Sequence, residues 1–136
     1  MRSDCYVPFM DFNAIANSFV GHYFNTFDNY DARDSLASLY RPESMLTWEG
    51  NQTQGANNIV AQLKKPELKV VKTQIASTDS QPGLGGSVVA LVAGTLALDN
   101  AFDKPMQFTQ AFNLAPIPGQ PGGFFIYNQI FRLIFG

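Results

Sequence analysis

The period of the hydrophobic residues changes once along this chain, and that change limits the folds open to it. From Asp11 to about residue 63, apolar side chains recur at helical spacing, whereas from residue 68 onward the period is two, as in strands. Helices followed by consecutive long strands predict an α+β domain with an antiparallel sheet. The apolar face of the first helix comprises Phe12, Ile15, Ala16, Phe19, Val20, Tyr23 and Phe27.

Three helices are expected in the first half of the chain. Asp11 is a candidate N-cap for the first, and Asp31 for a second, shorter helix that Pro42 ends. Gly55 precedes a third helix, which Pro66 ends. The residues expected to face inward are Leu36, Leu39 and Tyr40 in the second helix and Ile59, Val60 and Leu63 in the third.

Strands account for most of the remaining chain. A short one is expected from Met45 to Glu49, and longer ones at 68–78, 87–98, 106–114 and 124–135. Strand 87–98 is apolar on both faces, which predicts a covered central strand. In strand 106–114 we expect Phe108, Phe112 and Leu114 on one face, and in the last strand an aromatic side made of Phe125, Tyr127, Phe131 and Phe135. Residues 1–10 are expected to be irregular and residues 11–136 to form one domain.

Composition excludes several classes of function. The 136 residues fit one domain, and the net charge of −2 argues against binding to nucleic acid, which requires a basic surface. The single cysteine, Cys5, allows no intrachain disulfide. The first five residues lack the apolar core of a signal peptide, and the longest apolar run, Val88 to Leu98, is too short to span a bilayer. A soluble, intracellular protein without membrane partners is expected.

No catalytic or metal-binding motif is present in the sequence. His22 is the only histidine, and without a nucleophile motif it is expected to be structural. One histidine and one cysteine cannot build a typical zinc site. The aspartates at 28, 31 and 34 lack the glycine and the glutamate of a calcium loop. Gly83-Leu84-Gly85-Gly86 lacks the lysine of a phosphate loop. We therefore predict no catalytic residue, metal or cofactor.

The segment Met45-Leu46-Thr47-Trp48-Glu49-Gly50 is the strongest candidate for a binding site. It holds the only tryptophan, followed by a carboxylate and a glycine. Large aromatic residues often dominate recognition sites, although Trp48 is equally compatible with a place in the core. Glu49 could be a charged contact, an acid or base, or a plain surface residue. Four lysines close together, Lys64, Lys65, Lys69 and Lys72, form either a solvated face or a charged contact to a partner.

From Phe12 to the C-terminus, the order of short motifs resembles the nuclear transport factor 2 family. Each motif is weak alone, but their joint order and spacing are specific. They are Gly21-His22-Tyr23-Phe24, Phe27-Asp28-Asn29, Leu46-Thr47-Trp48-Glu49-Gly50, Gln54-Gly55, Ile59-Val60, Asp79-Ser80-Gln81-Pro82, Phe108-Thr109-Gln110-Ala111-Phe112 and Asn128-Gln129-Ile130-Phe131-Arg132-Leu133.

The resemblance implies a cone-shaped α+β domain, with three helices packed on a strongly curved antiparallel sheet and a homodimer formed through the sheet. It implies a nuclear import carrier for the GDP-bound small GTPase Ran, which crosses the nuclear pore by binding the phenylalanine-glycine repeats of nucleoporins. Such a carrier is not an enzyme. It is found in cytoplasm and nucleus and is concentrated at the nuclear envelope.

The resemblance also assigns roles to individual residues. Trp48 and Glu49 match the mouth of the cavity that receives an aromatic residue of Ran. Asp99 matches the first acidic position of the following sheet turn, and Asp103 is the choice for the second because this turn is longer here. The family's lysine position corresponds to Val70, which makes the adjacent Lys69 the candidate.

Two further positions depart from the pattern of the family. Phe12 matches an aromatic residue that helps grip repeat phenylalanines and is tryptophan in some relatives. Asn128-Gln129 stands where the family often has Asn-Asp, so a carboxylate is lost and an acid–base role at this position is weakened.

An enzyme is the alternative, because the same fold hosts dehydratases and isomerases of small ring substrates. Such an enzyme requires an acid and a base that converge in the cavity. In this chain only His22, Glu49 and Tyr23 could supply them.

Overall fold

A computed structural model of the chain describes residues 11–98 and 101–134. The predicted irregular segment 1–10 with Cys5, the turn residue Asp99 and the last-strand residue Phe135 lie outside the described residues. No helix within the described ranges has the length and apolar character needed to cross a membrane.

The first helix, α1 (Phe12–Phe27), begins as the sequence predicts. The Asp11 carboxylate accepts a hydrogen bond from the backbone N–H of Ala14 at 3.1 Å, which confirms it as the N-cap. The buried face of α1 comprises Ala16, Val20, Tyr23, Phe24 and Phe27.

The second helical segment, Tyr30–Leu39, is a 3-10 helix rather than an α-helix. Leu36 is buried as predicted. Tyr40 is also buried, but its backbone is extended and it opens the first strand, so the prediction that Pro42 ends the helix is wrong.

The third helix, α2 (Ala56–Leu63), buries Ile59, Val60 and Leu63 as predicted. It ends at Leu63, and Pro66 instead begins a short 3-10 turn, Pro66–Leu68.

Residues 11–98 and 101–134 contain six strands, which form one sheet in the order β2-β1-β6-β5-β4-β3. β2 is not predicted from the sequence, and it pairs with β1 through a two-residue turn at Glu49 and Gly50, both with positive φ. The sheet is antiparallel except for β1 and β6, which run parallel. The strands are β1 (Tyr40–Trp48), β2 (Asn51–Gln54), β3 (Val71–Pro82), β4 (Val88–Leu98), β5 (Met106–Pro116) and β6 (Phe124–Ile134).

The helices cover one face of the curved sheet and form the core with it. Phe108, Phe112 and Leu114 of β5 point into this core, as predicted. In β4, by contrast, alternate residues are buried, while Val89 and Leu91 are 44% and 50% exposed. The expectation that β4 is covered on both faces is therefore not met within one described chain.

A β-bulge reverses the expected faces of the last strand. The register of β5 against β6 shifts between Asn113 and Leu114, so that Ile126 and Gln129 both point inward although they are three residues apart. As a result Phe131 is buried while Tyr127 is exposed. The prediction of one continuous aromatic side is wrong, because a strict period of two holds only in an unbulged strand.

Gly94 allows β3 and β4 to approach where β3 bulges between Ile75 and Ser77. A Cβ atom at Gly94 would lie 2.2 Å from the backbone oxygen of Gln74. We expect Gly94→Ala to lower the free energy of unfolding by about 1–3 kcal/mol, measured by urea denaturation.

The matched control for this prediction is Gly21→Ala, at an exposed helical position where an added Cβ meets nothing within 4 Å. There alanine should raise stability by about 0.5–1 kcal/mol. Equal effects of the two substitutions would contradict the role given to Gly94.

Candidate partner-binding site

Trp48 stands at the last residue of β1, where the parallel pairing brings it opposite Phe131 of β6. The two rings stack with centroids 3.9 Å apart and planes inclined by 9°. The ring of Phe27, at the end of α1, lies 6.3 Å from Trp48. Trp48 is half-buried, so it belongs to the edge of the core and also to the surface.

Glu49 is held by β6 on both its backbone and its side chain. Its N–H donates to the carbonyl of Phe131 at 3.0 Å, and its Oε2 accepts from the backbone N–H of Leu133 at 2.6 Å. Its φ of +51° is the only positive value among the described residues other than glycine. The carboxylate is thus fixed beside Trp48 by one oxygen, and the second oxygen can accept hydrogen bonds or charge from a partner.

The strand register brings other predicted residues to the same end of the sheet. Leu133, the residue that binds Glu49, pairs with Phe108, and Leu98 at the end of β4 pairs with Val71 at the start of β3. The β4–β5 turn that holds Asp103 therefore leaves the sheet at this end. Asp103 is exposed, and its turn partner Asp99 lies outside the described residues.

Lys69 lies two residues before the start of β3 and is exposed, with its Nζ 5.8 Å from the ring centroid of Tyr30. The structure thus places Lys69 at the same end of the sheet as Trp48, Glu49 and Asp103. These four residues are the predicted Ran contacts that fall within the described residues.

Phe12 lies apart from this group, at the opposite end of α1 from Phe27. Fifteen residues of helix separate them by about 22 Å. Phe12 is half-buried and packs against the edge of the core, so part of its ring remains accessible.

Sequence reasoning missed Asp28 and Arg33, which support this end of the domain. Asp28 accepts hydrogen bonds from the backbone N–H and the hydroxyl of Thr73, at 2.9 and 2.6 Å. Burial raises the pKa of Asp28, while the bonds from Thr73 and the charge of Arg33 oppose that rise. Arg33 is fully buried, and burial lowers its pKa. The position of Arg33 three residues before Leu36, on the inward face, was the available signal.

The interior between helices and sheet holds a network of neutral side chains centred on Gln129. Its amide oxygen accepts from the Tyr40 hydroxyl at 2.5 Å, and its Nε2 donates to the Tyr23 hydroxyl at 2.8 Å and to Gln110. Burial raises the pKa of Tyr23 and raises that of Tyr40 further above its usual value. Both tyrosines are therefore protonated at neutral pH, and the network contains no acid–base pair.

His22 and Glu49 do not converge in the structure. His22 is exposed and lines a cavity of about 430 Å³ together with Phe19, Leu114 and Phe124. Leu114 is six positions along β5 from Phe108, the residue opposite the Glu49 contact. That separation is roughly 20 Å. The arrangement required by the enzyme alternative is absent from the described residues, which also hold no cluster of three metal-binding side chains.

A family model, the nuclear transport factor 2 domain, matches residues 15–133. The chain is 41% identical to nuclear transport factor 2 of Neurospora crassa over 125 residues, covering 92% of this chain and 97% of the relative. It is 38% identical to that of Saccharomyces cerevisiae over 125 residues, covering 91% and 95%. The chain belongs to the nuclear transport factor 2 family. The solved nuclear transport factor 2 structure from Cryptosporidium parvum superposes with a TM-score of 0.81 and 39% identity, covering 90% of this chain and 94% of that one.

Membership of the nuclear transport factor 2 family confirms the predicted α+β fold of the single domain and the predicted class of function. The chain is a nuclear transport protein that operates between cytoplasm and nucleus, and it is not an enzyme. The interior network is accordingly interpreted as part of the scaffold.

Substitution of Gln129 by leucine tests that interpretation. Gln129→Leu would leave buried hydroxyls of Tyr23 and Tyr40 without this partner, and we expect a loss of about 2–4 kcal/mol in the free energy of unfolding. Tyr40→Phe, which removes one donor from the network, should lower stability by only about 1 kcal/mol. Urea denaturation measures both values. A stabilising effect of Gln129→Leu would show that the network is not structural.

Proposed function

We propose that this chain carries GDP-bound Ran into the nucleus and crosses the nuclear pore by binding phenylalanine-glycine repeats of nucleoporins. The observation that carries the proposal is the arrangement at the end of the sheet, where a half-buried tryptophan lies beside a fixed carboxylate. An aromatic side chain of Ran would pack beside Trp48, and a basic side chain would bind the second oxygen of Glu49.

Charged groups surround this aromatic centre. Asp103 on the β4–β5 turn, with Asp99 in the same turn, would meet basic residues of Ran, and Lys69 would meet an acidic one. Complementary charges of this kind orient a partner and raise its rate of association. The apolar contact supplies the desolvated centre, and the charges supply selectivity for one orientation.

A homodimer would form through the face of the sheet that the helices leave uncovered. Large apolar side chains on this face are 42–53% exposed in the single chain. They belong to β4 and β6, on either side of β5, so they form one surface rather than isolated positions. The side chains are Val89, Leu91, Tyr127, Ile130 and Ile134. Two copies of such a face can bury each other about a two-fold axis.

Phe12 would bind the phenylalanines of repeat sequences. Transit through the pore requires contacts that release quickly, and millimolar to micromolar affinities correspond to only about 4–8 kcal/mol. The half-buried ring of Phe12 offers only a small apolar contact area, which fits a binding free energy of this size. Phe12 begins α1, whereas Phe27, which packs beside Trp48, ends it, so the two proposed sites lie far apart. The carrier could therefore bind repeats while it holds Ran. Repeat binding would concentrate it at the nuclear envelope.

The decisive test is a calorimetric titration of the wild-type chain with Ran in both nucleotide states. We expect binding to Ran-GDP and not to Ran-GTP. Glu49→Lys should weaken Ran-GDP binding by more than about 30-fold, because the substitution places a cation against a basic partner. Sedimentation should give a dimer for both the wild type and the variant.

Glu49→Gln is the matched control, because the amide oxygen can still accept from the N–H of Leu133 while the charge is lost. It should leave stability unchanged and weaken Ran-GDP binding by about tenfold. Equal binding of the wild type to both nucleotide states, or to neither, would refute the proposed function. Unchanged affinity in Glu49→Lys would remove Glu49 from the site.

Repeat binding is tested with a synthetic peptide that carries phenylalanine-glycine repeats. Phe12→Ala should lower peptide affinity by about fivefold or more and leave Ran-GDP affinity unchanged, since the ring supplies apolar contact area at a distant site. Phe12→Trp should bind the peptide at least as tightly as the wild type. Asn17→Ala, an exposed position on the same helix, is the control and should have no effect. If Phe12→Ala and Asn17→Ala behaved alike, Phe12 would not be the repeat contact.

A further inference from the structure

Arg33 joins the ends of three separate segments of the chain. Its Nε donates to the carbonyl of Phe27 at 2.6 Å, and its Nη1 donates to the carbonyls of Leu63 and Leu68, each at 2.7 Å. Phe27 ends α1, Leu63 ends α2, and Leu68 ends the 3-10 turn before Lys69. Carbonyls at the C-terminal ends of helices lack intrahelical partners, so a buried cation that binds all three fixes these ends relative to one another.

A series of aromatic rings connects Arg33 to the Trp48 site. The guanidinium carbon lies 4.3 Å from the ring centroid of Phe27. Phe27 in turn lies 6.3 Å from Trp48, which stacks on Phe131. Arg33 therefore contacts the backbone and the ring of the residue that packs beside Trp48, without touching Trp48 itself.

The guanidinium group of arginine is suited to binding these three carbonyls, whereas the ammonium group of lysine is not. A guanidinium is planar and presents donors in fixed directions, whereas an ammonium is a point charge on a flexible stem. Within the described part of the chain, Nη2 of Arg33 is buried and has no acceptor. The bonds to the three carbonyls therefore come from Nε and Nη1, whose fixed relative directions a lysine could not reproduce.

We propose that Arg33 is a positioning residue for partner binding, which keeps the Phe27–Trp48–Phe131 rings and the turn before Lys69 in the geometry that receives the partner. The partner meets a site that is already formed, and the free energy of binding is not spent on ordering it. The expected effect of Arg33 on partner binding rests on the proposed recognition of Ran-GDP. The expected effect of Arg33 on the surroundings of Trp48 does not depend on the identity of the partner.

Trp48 is the only tryptophan, so its fluorescence reports directly on the geometry of the site. We compare the wild type with Arg33→Lys and Arg33→Met under conditions where circular dichroism shows each variant to be folded. Both substitutions should shift the Trp48 emission to longer wavelength and weaken Ran-GDP binding, by about tenfold for methionine and less for lysine. Affinity for the repeat peptide, which depends on Phe12, should change by less than about twofold.

Ser44→Ala is the control for a purely structural loss. Ser44 is buried in the middle of β1, four residues before Trp48, where it donates to the carbonyl of Ile126 at 2.5 Å and accepts from the N–H of Arg41 at 2.8 Å. Its removal should lower stability but alter neither the Trp48 emission nor the Ran-GDP affinity.

Phe27→Leu provides a second route should Arg33→Met fail to fold. It keeps the carbonyl that Arg33 binds but removes the ring between Arg33 and Trp48, and the same emission shift is expected. The inference is overturned if the folded Arg33 variants match Ser44→Ala in emission and affinity, or if repeat binding falls as much as Ran-GDP binding. If the wild type binds no Ran-GDP, the proposed function fails, and the emission series alone decides the role of Arg33.

Discussion

The parallel pairing of β1 with β6 joins two segments that lie more than eighty residues apart, and the geometry of the candidate binding site depends on it. It sets Trp48 opposite Phe131. In the turn that follows, the Glu49 carboxylate accepts a hydrogen bond from the N–H of Leu133. A parallel pair cannot be joined by a short hairpin, and in this chain α2 and strands β2 to β5 lie between the two partners in sequence. Trp48 and Glu49 are neighbours in sequence, but the directions of both side chains depend on contacts with β6, near the C-terminus.

This dependence explains which features the sequence could predict. Helix α1, with its Asp11 cap, and the inward residues of α2 follow from local periodicity, and the structure confirms them. Strand β2 left no signal, because Asn51–Gln54 is short and entirely polar and so lacks the alternation of apolar and polar residues that indicates a strand. The parallel direction of β1 could not be predicted either, because strand direction depends on connections and not on composition.

The bulge in β6 is a second feature that the sequence pattern could not predict, and it involves a single residue. The alternation of Phe125, Tyr127, Phe131 and Phe135 predicts one aromatic side, but a single extra residue near Tyr127 moves Phe131 into the core. The outer face then carries isoleucines and one tyrosine, and Phe131 becomes available to stack on Trp48. Trp48 and Glu49 thus remain a prediction made from their residues and from family resemblance, whereas Phe131, the ring that supports Trp48, was assigned to the wrong face.

The side chains around Gln129 form an uncharged network, and the candidate binding site lies at the edge of the sheet, outside this network. In Gln129 the chain places an amide at the centre of the domain, where it can both donate and accept and so satisfy two tyrosines and a second glutamine without a net charge. A carboxylate there would need a counter-charge or a proton, and either would introduce the acid–base chemistry that a carrier does not require. The Gln129 network is thus uncharged, whereas the charged groups of the candidate site, Glu49, Lys69 and Asp103, lie at the edge of the sheet, where a protein partner can reach them.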